Sequence, residues 1–413
     1  MDYRIHSSHA PPGAGDQNGP ARIEDESRLL TTDEGRRLLE EVATIREIGP
    51  ADLERLRKLA PPGLVSAAVR LTTARRKAAG KFERADRMWL DPVGVEQATS
   101  ELVARYKAMR FRVCPIVVDL CAGIGGDTLA LADHAQVVAV DLDPGMGRRL
   151  RYNAGVYEVA DNVLAVQARA ESFPIPPGAR VHLDPDRRFD RDRRARALED
   201  YAPGPAFWAS LIDRVAGGAI KLSPAADFAR LFPPGSGCEI NLISLRGECK
   251  EATVWFGELA DCRRRATRLP EWETWTDRDG FDPEPPGVSP PSDWIFDPDP
   301  ALLRAGLLDG FARFHRLSRV AEGVDYLTGP QPIDTAFLSA FAVREVSSLD
   351  LKHMRRMIQR HDVGTLEIKV RGVDLAPESL RARLKPRGSE PATLLIAGGP
   401  GPARAVLARR VMK

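Results

Sequence analysis

The chain is short of the features that mark several large protein classes. No apolar run among its 413 residues approaches the roughly 20 that a membrane-spanning helix needs. Its opening stretch, MDYRIHSSHAPPGAGDQNGPARIEDE, has no apolar core of the kind a secretory leader carries, so a cytoplasmic protein with no membrane partner is expected. Cysteine is sparse: Cys114, Cys121, Cys238, Cys249 and Cys262 form no C-x-x-C pair and have no histidine cluster nearby. That spacing argues against a zinc site and a disulfide framework, and fits buried thiols in a reducing compartment. No metal site is expected. The net charge is only +2, but it is unevenly spread. From Lys352 to Lys413 fourteen Lys and Arg face five Asp and Glu, an excess of nine, so the rest of the chain is net acidic. Composition alone leaves two explanations for this basic end, a nucleic-acid face and a solvated Arg-rich surface.

The length implies two or three domains. Residues 1–25 are rich in Gly, Pro and Ser and are expected to be a disordered tail. A helical domain is expected over 26–111, where LLTTDEGRRLLEEVATI and GVEQATSELVARYKAMRF carry apolar stripes of helical period. Over 112–265 strand-like and helix-like segments alternate. The strands are PIVVDL, QVVAVDL, NVLAVQA, RVHLD, GAIKLS, EINLISL and ATVWFGEL, which predicts a doubly wound α/β sheet of seven strands. The last two are joined by RGECKE with no room for a helix, so they must form an antiparallel hairpin at a sheet edge. Residues 266–300, dense in Pro, Asp and Trp, read as a linker. The remainder, 301–413, reads as a separate basic α+β module with TLEIKVRG and ATLLIAG as strands.

The first strand runs into DLCAGIGGDTLALA. A strand, a glycine turn and a helix usually place a nucleotide-like ligand across the turn. Gly123 and Gly125 supply the first two glycines of a dinucleotide fingerprint, but Thr128 stands where the third would be, and no G-K-[ST] follows for a triphosphate. Asp119 at the strand end suits a zwitterionic ligand, whose ammonium it can hold directly or through water. Asp141 ends the second strand, 18 residues beyond Gly123, where a carboxylate accepts ribose hydroxyls. With the terminal hairpin, these features favour S-adenosylmethionine over a nicotinamide cofactor.

The fourth strand supplies RVHLDPDRR. Asp184-Pro185 then leaves the carboxyl edge of the sheet, where an open α/β fold places its chemistry. Amine methylation needs mainly that the acceptor lone pair be aimed at the methyl group, so a carboxylate that holds the amine suffices. Arg187 offers a plane that can stack on a base, and Phe189 lies close by. The run FDRDRRARALED, which follows, is either a self-paired solvated helix or a phosphate contact. No cysteine follows a proline here, which disfavours a pyrimidine C5 mechanism. In the basic module, Lys369 and Arg371 are the expected phosphate contacts.

Several stretches together resemble the class I S-adenosylmethionine-dependent methyltransferases, specifically the bacterial group with a THUMP-like C-terminal domain. They are KFERADRMWLDPVGVEQATSELVARYKAMRF, DLCAGIGGDTLALA, VAVDLDP, LDPDRR (the group usually has Asp-Pro-Ala-Arg-Arg), GECKEATVWFG and LEIKVRGVDLAPESLRARLKPRGSEPATLLI. They span about 80 to 262 and 325 to 397. A more distant similarity, through WLDPVG, the glycine turn and NAGVYEVADNV, is to the RNA cap trimethylguanosine synthases, which carry Ser-Pro-Pro-Trp where this chain has Asp184-Pro185-Asp186-Arg187. The resemblance implies a Rossmann-like, seven-stranded methyltransferase sheet between an N-terminal helical domain and a C-terminal α+β domain. It also implies S-adenosyl-L-methionine as cofactor and a tRNA or rRNA as partner, methylated on a base nitrogen. The implied cofactor-binding residues are Asp119, Cys121, Gly123, Gly125, Asp127, Asp141, Leu142 and Glu171. Asp184, Pro185 and Arg187 are the implied catalytic set. Such enzymes usually place an acid after the third strand to meet the adenine amino group; Arg169 stands there, with Glu171 as the substitute. Two other readings stay open: a methyltransferase acting on a protein or small molecule, and a non-catalytic RNA-binding protein with a degenerate pocket, for which Arg169 and Arg187 speak.

Overall fold

A computed structural model describes residues 20–187, 201–279 and 284–411. The chain comprises two compact units, Met1–Asp184 and Pro185–Lys413, so the division falls inside the expected 112–265 domain. The first unit begins with α1 (Pro20–Thr31), α2 (Asp33–Thr44), α3 (Pro50–Arg57), α4 (Pro62–Ala78), α5 (Pro92–Gln97) and α6 (Glu101–Phe111). Capping fixes the starts of two of them. Thr32 Oγ1 accepts from Gly35 N at 3.1 Å, and Asp91 Oδ1 accepts from Val93 and Gly94 N at 3.2 and 3.0 Å. Leu64, Val65, Ala68 and Leu71 give α4 a buried face, against which α1 and α2 pack.

Two expectations change here. The tail expected over 1–25 ends earlier, because α1 already begins at Pro20; residues 1–19 lie outside the described residues. Ile23 is buried, and Glu26 accepts from Arg149 Nη2 at 2.7 Å and Trp89 Nε1 at 2.8 Å, partners far along the chain that composition does not reveal. The single helix expected over 94–111 is two, α5 and α6. Thr99 between them donates to Asp127 Oδ2 at 2.6 Å, and a Cβ on Gly126 would lie only 3.1 Å from Thr99 O. That tertiary contact breaks the helix.

Four parallel strands follow, with helices in the crossovers: β1 (Ile116–Leu120), α7 (Thr128–Ala132), β2 (Gln136–Asp141), α8 (Pro144–Val156), β3 (Val163–Gln167) and β4 (Arg180–Leu183). Their order is β4-β1-β2-β3. Val117, Val118 and Leu120 are wholly buried, as a parallel strand covered on both faces requires. In register, Asp119 stands opposite His182 of β4 on one side and Ala139 of β2 on the other.

The second unit holds β5 (Asp186–Arg187), β6 (Tyr201–Ala202), α9 (Pro205–Arg214), β7 (Gly217–Leu222), α10 (Phe228–Leu231), β8 (Glu239–Leu245), β9 (Glu248–Gly257), β10 (Arg264–Leu269) and β11 (Glu273–Thr276). Its first sheet runs β7-β9-β8-β10-β11. The expected hairpin is β8–β9, closed by Arg246 and Gly247, both in the left-handed region (φ 53° and 84°) that a two-residue turn demands. It is not a sheet edge, however, since β8 pairs on its other side with β10. The seven expected strands correspond to β1–β4 and β7–β9; β10 and β11 are additional.

These added strands also overturn the linker expected over 266–300. The region contains the end of β10, all of β11 and β12 (Trp294–Pro298). Its polar residues are structural: Arg268 Nη1 pairs with Asp299 Oδ2 at 2.7 Å, and Trp275 packs edge-on against Phe311 with ring centres 4.9 Å apart. The second sheet of this unit uses β12, β13 (Ser318–Arg319), β14 (Leu327–Gly329), β15 (Leu338–Ser348), β16 (Val363–Arg371), β17 (Glu390–Ala397) and β18 (Arg404–Arg410). Their order is β13-β14-β12-β15-β18-β17-β16. Between them lie α11 (Pro300–Arg304), α12 (Leu308–Phe314), α13 (Leu351–Arg360) and α14 (Pro377–Leu384). Met354, Met357 and Ile358 of α13 and Leu380 and Leu384 of α14 pack on Leu394, Ile396 and Leu407. Among the described residues no helix is long and apolar enough to cross a membrane.

The Glu26–Arg149 pair generates a stability prediction. Both side chains are sealed, at 3% and 0% exposure. Arg149→Met leaves the sealed Glu26 with Arg22 Nε at 3.1 Å and Trp89 Nε1 at 2.8 Å but takes away its most deeply buried cation, and should cost about 1.5–3 kcal/mol in denaturant unfolding. A single-variant loss below about 1 kcal/mol would show that water reaches the pair.

Candidate active site

The turn after β1 puts Cys121, Gly123 and Gly125 in the left-handed region, at φ 62°, 55° and 95°. At Gly123 this conformation is combined with free space: a Cβ there would meet nothing within 4 Å, so a ligand can approach the backbone. Asp141, at the end of β2, holds the turn. Gly123 N donates to its Oδ2 at 2.8 Å and Asp143 N to its Oδ1 at 2.9 Å. Each carboxylate oxygen therefore keeps a lone pair for another donor. Burial raises the Asp141 carboxyl above its ordinary value, while the Asp143 and Gly123 amides pull it back. Leu142 follows with 60% of its surface exposed, a flat apolar face beside a charged one. Glu171 lies in the loop after β3, 3.5 Å from Arg169, and both remain substantially exposed. So open a pair is weak and leaves Glu171 free to accept from a ligand.

Cys121 reports the electrostatics of this basin. Burial pushes its thiol far up, and the carboxylates of Asp141, Asp184, Asp119 and Glu171 push it further. It stays a neutral thiol and is no nucleophile. Carboxylates gathered around this thiol suit a cationic ligand. Asp184 is anchored at the end of β4, where its amide donates to Leu120 O at 3.1 Å.

Not every implied residue lines the turn's open side. Asp119 is 1% exposed, and both its oxygens are engaged: Oδ1 accepts from His182 Nδ1 at 2.7 Å and Oδ2 from the Thr128 hydroxyl. Asp127 is likewise buried, taking Lys107 Nζ at 2.7 Å and Thr99 Oγ1 at 2.6 Å. These two acids lie beneath the turn and are held there by protein donors. Lys107 and His182 are part of the same group and carried no signal in the sequence. A lone lysine in a helical stripe and a lone histidine in RVHLD gain meaning only once β4 is known to lie beside β1 in this register. Pro185 and Arg187 belong to the second unit, where Pro185 is buried and Arg187 pairs in β5 with Tyr201 of β6. Phe189 and the run FDRDRRARALED lie outside the described residues. Among the described residues no group of three or more His, Cys, Asp or Glu could hold a metal ion.

In the C-terminal module, Lys369 and Arg371 are not the exposed contacts expected of them. Both pair with Asp297 at 2.7 Å, and the Arg371 guanidinium lies 5.3 Å from the Tyr326 ring centre. They hold β16 to the sheet.

Three family models match the chain. One described as an RNA cap guanine-N2 methyltransferase matches residues 114–190, a THUMP domain-like model matches 338–410, and a domain of unknown function matches 24–78. An uncharacterized S-adenosylmethionine-dependent methyltransferase of Mycobacterium tuberculosis, found in two strains, is 35% identical over 340 residues, covering 79% of this chain and 91% of that protein. A crystal structure named as that of a methyltransferase from Porphyromonas gingivalis shares the fold, with a TM-score of 0.74 at 19% identity over 94% of this chain and 99% of the other.

Two predictions follow from the site's geometry. Asp141→Ala removes the acceptor of the turn amide and the open lone pairs beside it; if these meet a ligand's ribose, affinity for S-adenosylhomocysteine should fall at least about tenfold, or roughly 1.5–3 kcal/mol. Unchanged binding by calorimetry would show that the ribose lies elsewhere. The second concerns His182. Burial lowers its pKa, but Asp127 and Asp119 more than offset this against a smaller opposing push from Lys107, so the net shift is upward. A raised folded-state pKa means stability fully present below the unfolded value of about 6.5 and lost as pH rises through the folded one. Thermal melts should therefore fall with rising pH more steeply in the wild type than in His182→Asn.

Proposed function

Because the chain belongs to the S-adenosylmethionine-dependent methyltransferases, we propose that it methylates a nitrogen of a base in a structured RNA, a tRNA or an rRNA. The observation that carries the RNA assignment is the cationic face of the C-terminal module. Lys352, Arg355, Arg356 and Arg360 are exposed on α13, opposite its buried Met354, Met357 and Ile358. Arg355 donates to Arg383 O at 3.0 and 2.7 Å, which joins α13 to the end of α14. Exposed Arg383, Lys385 and Arg387 continue the basic surface there. Such a face suits phosphates, and the THUMP-like and RNA cap methyltransferase similarities favour RNA over a protein or small molecule.

When bound, S-adenosylmethionine supplies a sulfonium-activated methyl group, whose transfer to an amine yields S-adenosylhomocysteine and a proton. The residues on hand fit this ligand. Asp141 offers its free lone pairs to the ribose hydroxyls, Leu142 an apolar face to the adenine, and Glu171 an acceptor for the adenine amino group. Gly123 leaves room for the methionine portion. Asp184, fixed through its amide to Leu120, accepts an N–H of the incoming amine and so aims the nitrogen lone pair. Its carboxylate is also the acceptor nearest at hand for the proton that the amine loses.

Mass spectrometry of modified nucleosides in RNA from a deletion strain tests the assignment, and an unchanged modification profile would count against it. Asp184→Ala should abolish turnover while S-adenosylhomocysteine still binds; full activity would place the acceptor elsewhere. RNA affinity should fall steeply with salt, and changing Lys352 and Arg356 to Ala should lower the logarithmic slope by about 2. Lys369→Ala and Arg371→Ala should instead lower the melting temperature. A salt-independent affinity would point to a protein or small-molecule acceptor.

A further inference from the structure

Four ionisable side chains lie sealed beneath the glycine turn and take no part in the steps above. Lys107, Asp119 and His182 are each 1% exposed and Asp127 is 6% exposed. His182 Nδ1 donates to Asp119 Oδ1 at 2.7 Å. Lys107 Nζ lies 3.5 Å from His182 Nε2, and the two face Asp127 Oδ1 at 2.7 and 3.8 Å. Among the described residues, Lys107 from α6, Asp119 on β1 and Asp127 just before α7 are the charged groups that act most strongly on His182, whose ring also meets Phe111 edge-on at 6.4 Å. With a neutral imidazole the group holds one cation and two carboxylates. With an imidazolium it is balanced, which a buried site strongly favours.

The elements joined here matter as much as the charge. Asp127 and Thr128 lie at the end of the turn, Asp119 at the end of β1, and His182 two residues before Asp184 on β4. Thr128 donates to Asp119 and Thr99 to Asp127, so the hydroxyls flanking the group are directed into it as well. The group therefore spans from the residues beside the cofactor turn to the strand that carries the acceptor residue. We propose that Lys107, Asp127, His182 and Asp119 are a charge-balanced set of positioning residues, which sets the glycine turn relative to Asp184 and loosens it when His182 loses its proton. This rests on the reading of the turn as the S-adenosylmethionine site.

The test is calorimetric titration of the full chain with S-adenosylhomocysteine, which lacks the sulfonium charge but keeps its α-ammonium, so the comparison of wild type with His182→Asn at each pH, rather than the affinity itself, reads the placement of the turn. Wild-type affinity should fall about tenfold as pH rises from about 6.5, the ordinary imidazole value, through the raised value of His182. His182→Asn keeps a donor for Asp119 and does not titrate there, so its affinity should change far less over that range. Asp127→Asn leaves two cations for one carboxylate and should bind about tenfold more weakly, while adding Lys107→Met should restore most of the affinity by restoring balance. If wild type and His182→Asn trace the same pH curve, or if Asp127→Asn melts lower yet binds like wild type, the group is merely structural and the proposal falls. Should Asp127→Asn fail to fold, the pH comparison alone decides. Asp141→Ala separates the two failures. Undiminished affinity in that variant overturns the site reading and the proposal with it, whereas lost affinity there beside coincident pH curves overturns the positioning role alone.

Discussion

The hydrogen bond from the Gly123 amide to Asp141 is the constraint on which the site depends. It joins the ends of two adjacent parallel strands through a residue that can take φ 55° without strain. Because the amide occupies only one lone pair of the carboxylate, the same bond that closes the turn leaves an acceptor on the turn's open side. Removing Asp141 therefore alters the turn and the ligand contact together, and neither effect can be assigned without the other. Burial works against the charge on Asp141, and the two backbone amides are what keep it available.

The charges around the turn divide into two levels. Above it, the carboxylates of Asp141, Asp184 and Glu171 act on Cys121, and this negative field suits a positively charged ligand. Below it, Lys107 and His182 compensate Asp119 and Asp127. The C-terminal module sorts its charges in the same way. Lys369 and Arg371 are drawn inward onto Asp297, while Lys352 and Arg356 stand on the solvent face of α13. An excess of basic residues is thus not one surface. Part of it is internal structure, and only the remainder is left to meet phosphates.

Much of this was legible in the sequence where the signal was local. The valine-rich strands, the positive-φ turn, the carboxylate ending β2 and the Arg246-Gly247 hairpin follow from composition, periodicity and backbone preference over a few residues. What was not legible depended on partners far along the chain. The helix break at Thr99 comes from Asp127, the early start of α1 from Arg149 and Trp89, and the ordering of 266–300 from Asp299 and Phe311. Proline and aspartate in that last stretch resemble a linker because both favour turns, yet they can equally punctuate short strands. Residue type does not distinguish the cases; a cross-chain partner does.

Asp119 shows the same limit at the site itself. An acid at the end of the first strand, ahead of a glycine turn, is the most conspicuous feature of the motif, and it invites a role in touching the ligand. Its carboxylate is nevertheless only 1% exposed, held between His182 on one oxygen and Thr128 on the other. Each oxygen has taken one donor, as in Asp141, so burial rather than lone-pair count sets the two acids apart. Asp141, outwardly similar and likewise taking one donor on each oxygen, ends beside a glycine whose added Cβ would meet nothing within 4 Å. The two carboxylates end adjacent strands of one sheet and differ chiefly in what lies beside them. For Asp119 that neighbour is a histidine set by parallel register, which buries the acid; for Asp141 it is the open face of a glycine, which leaves its carboxylate within reach of a ligand.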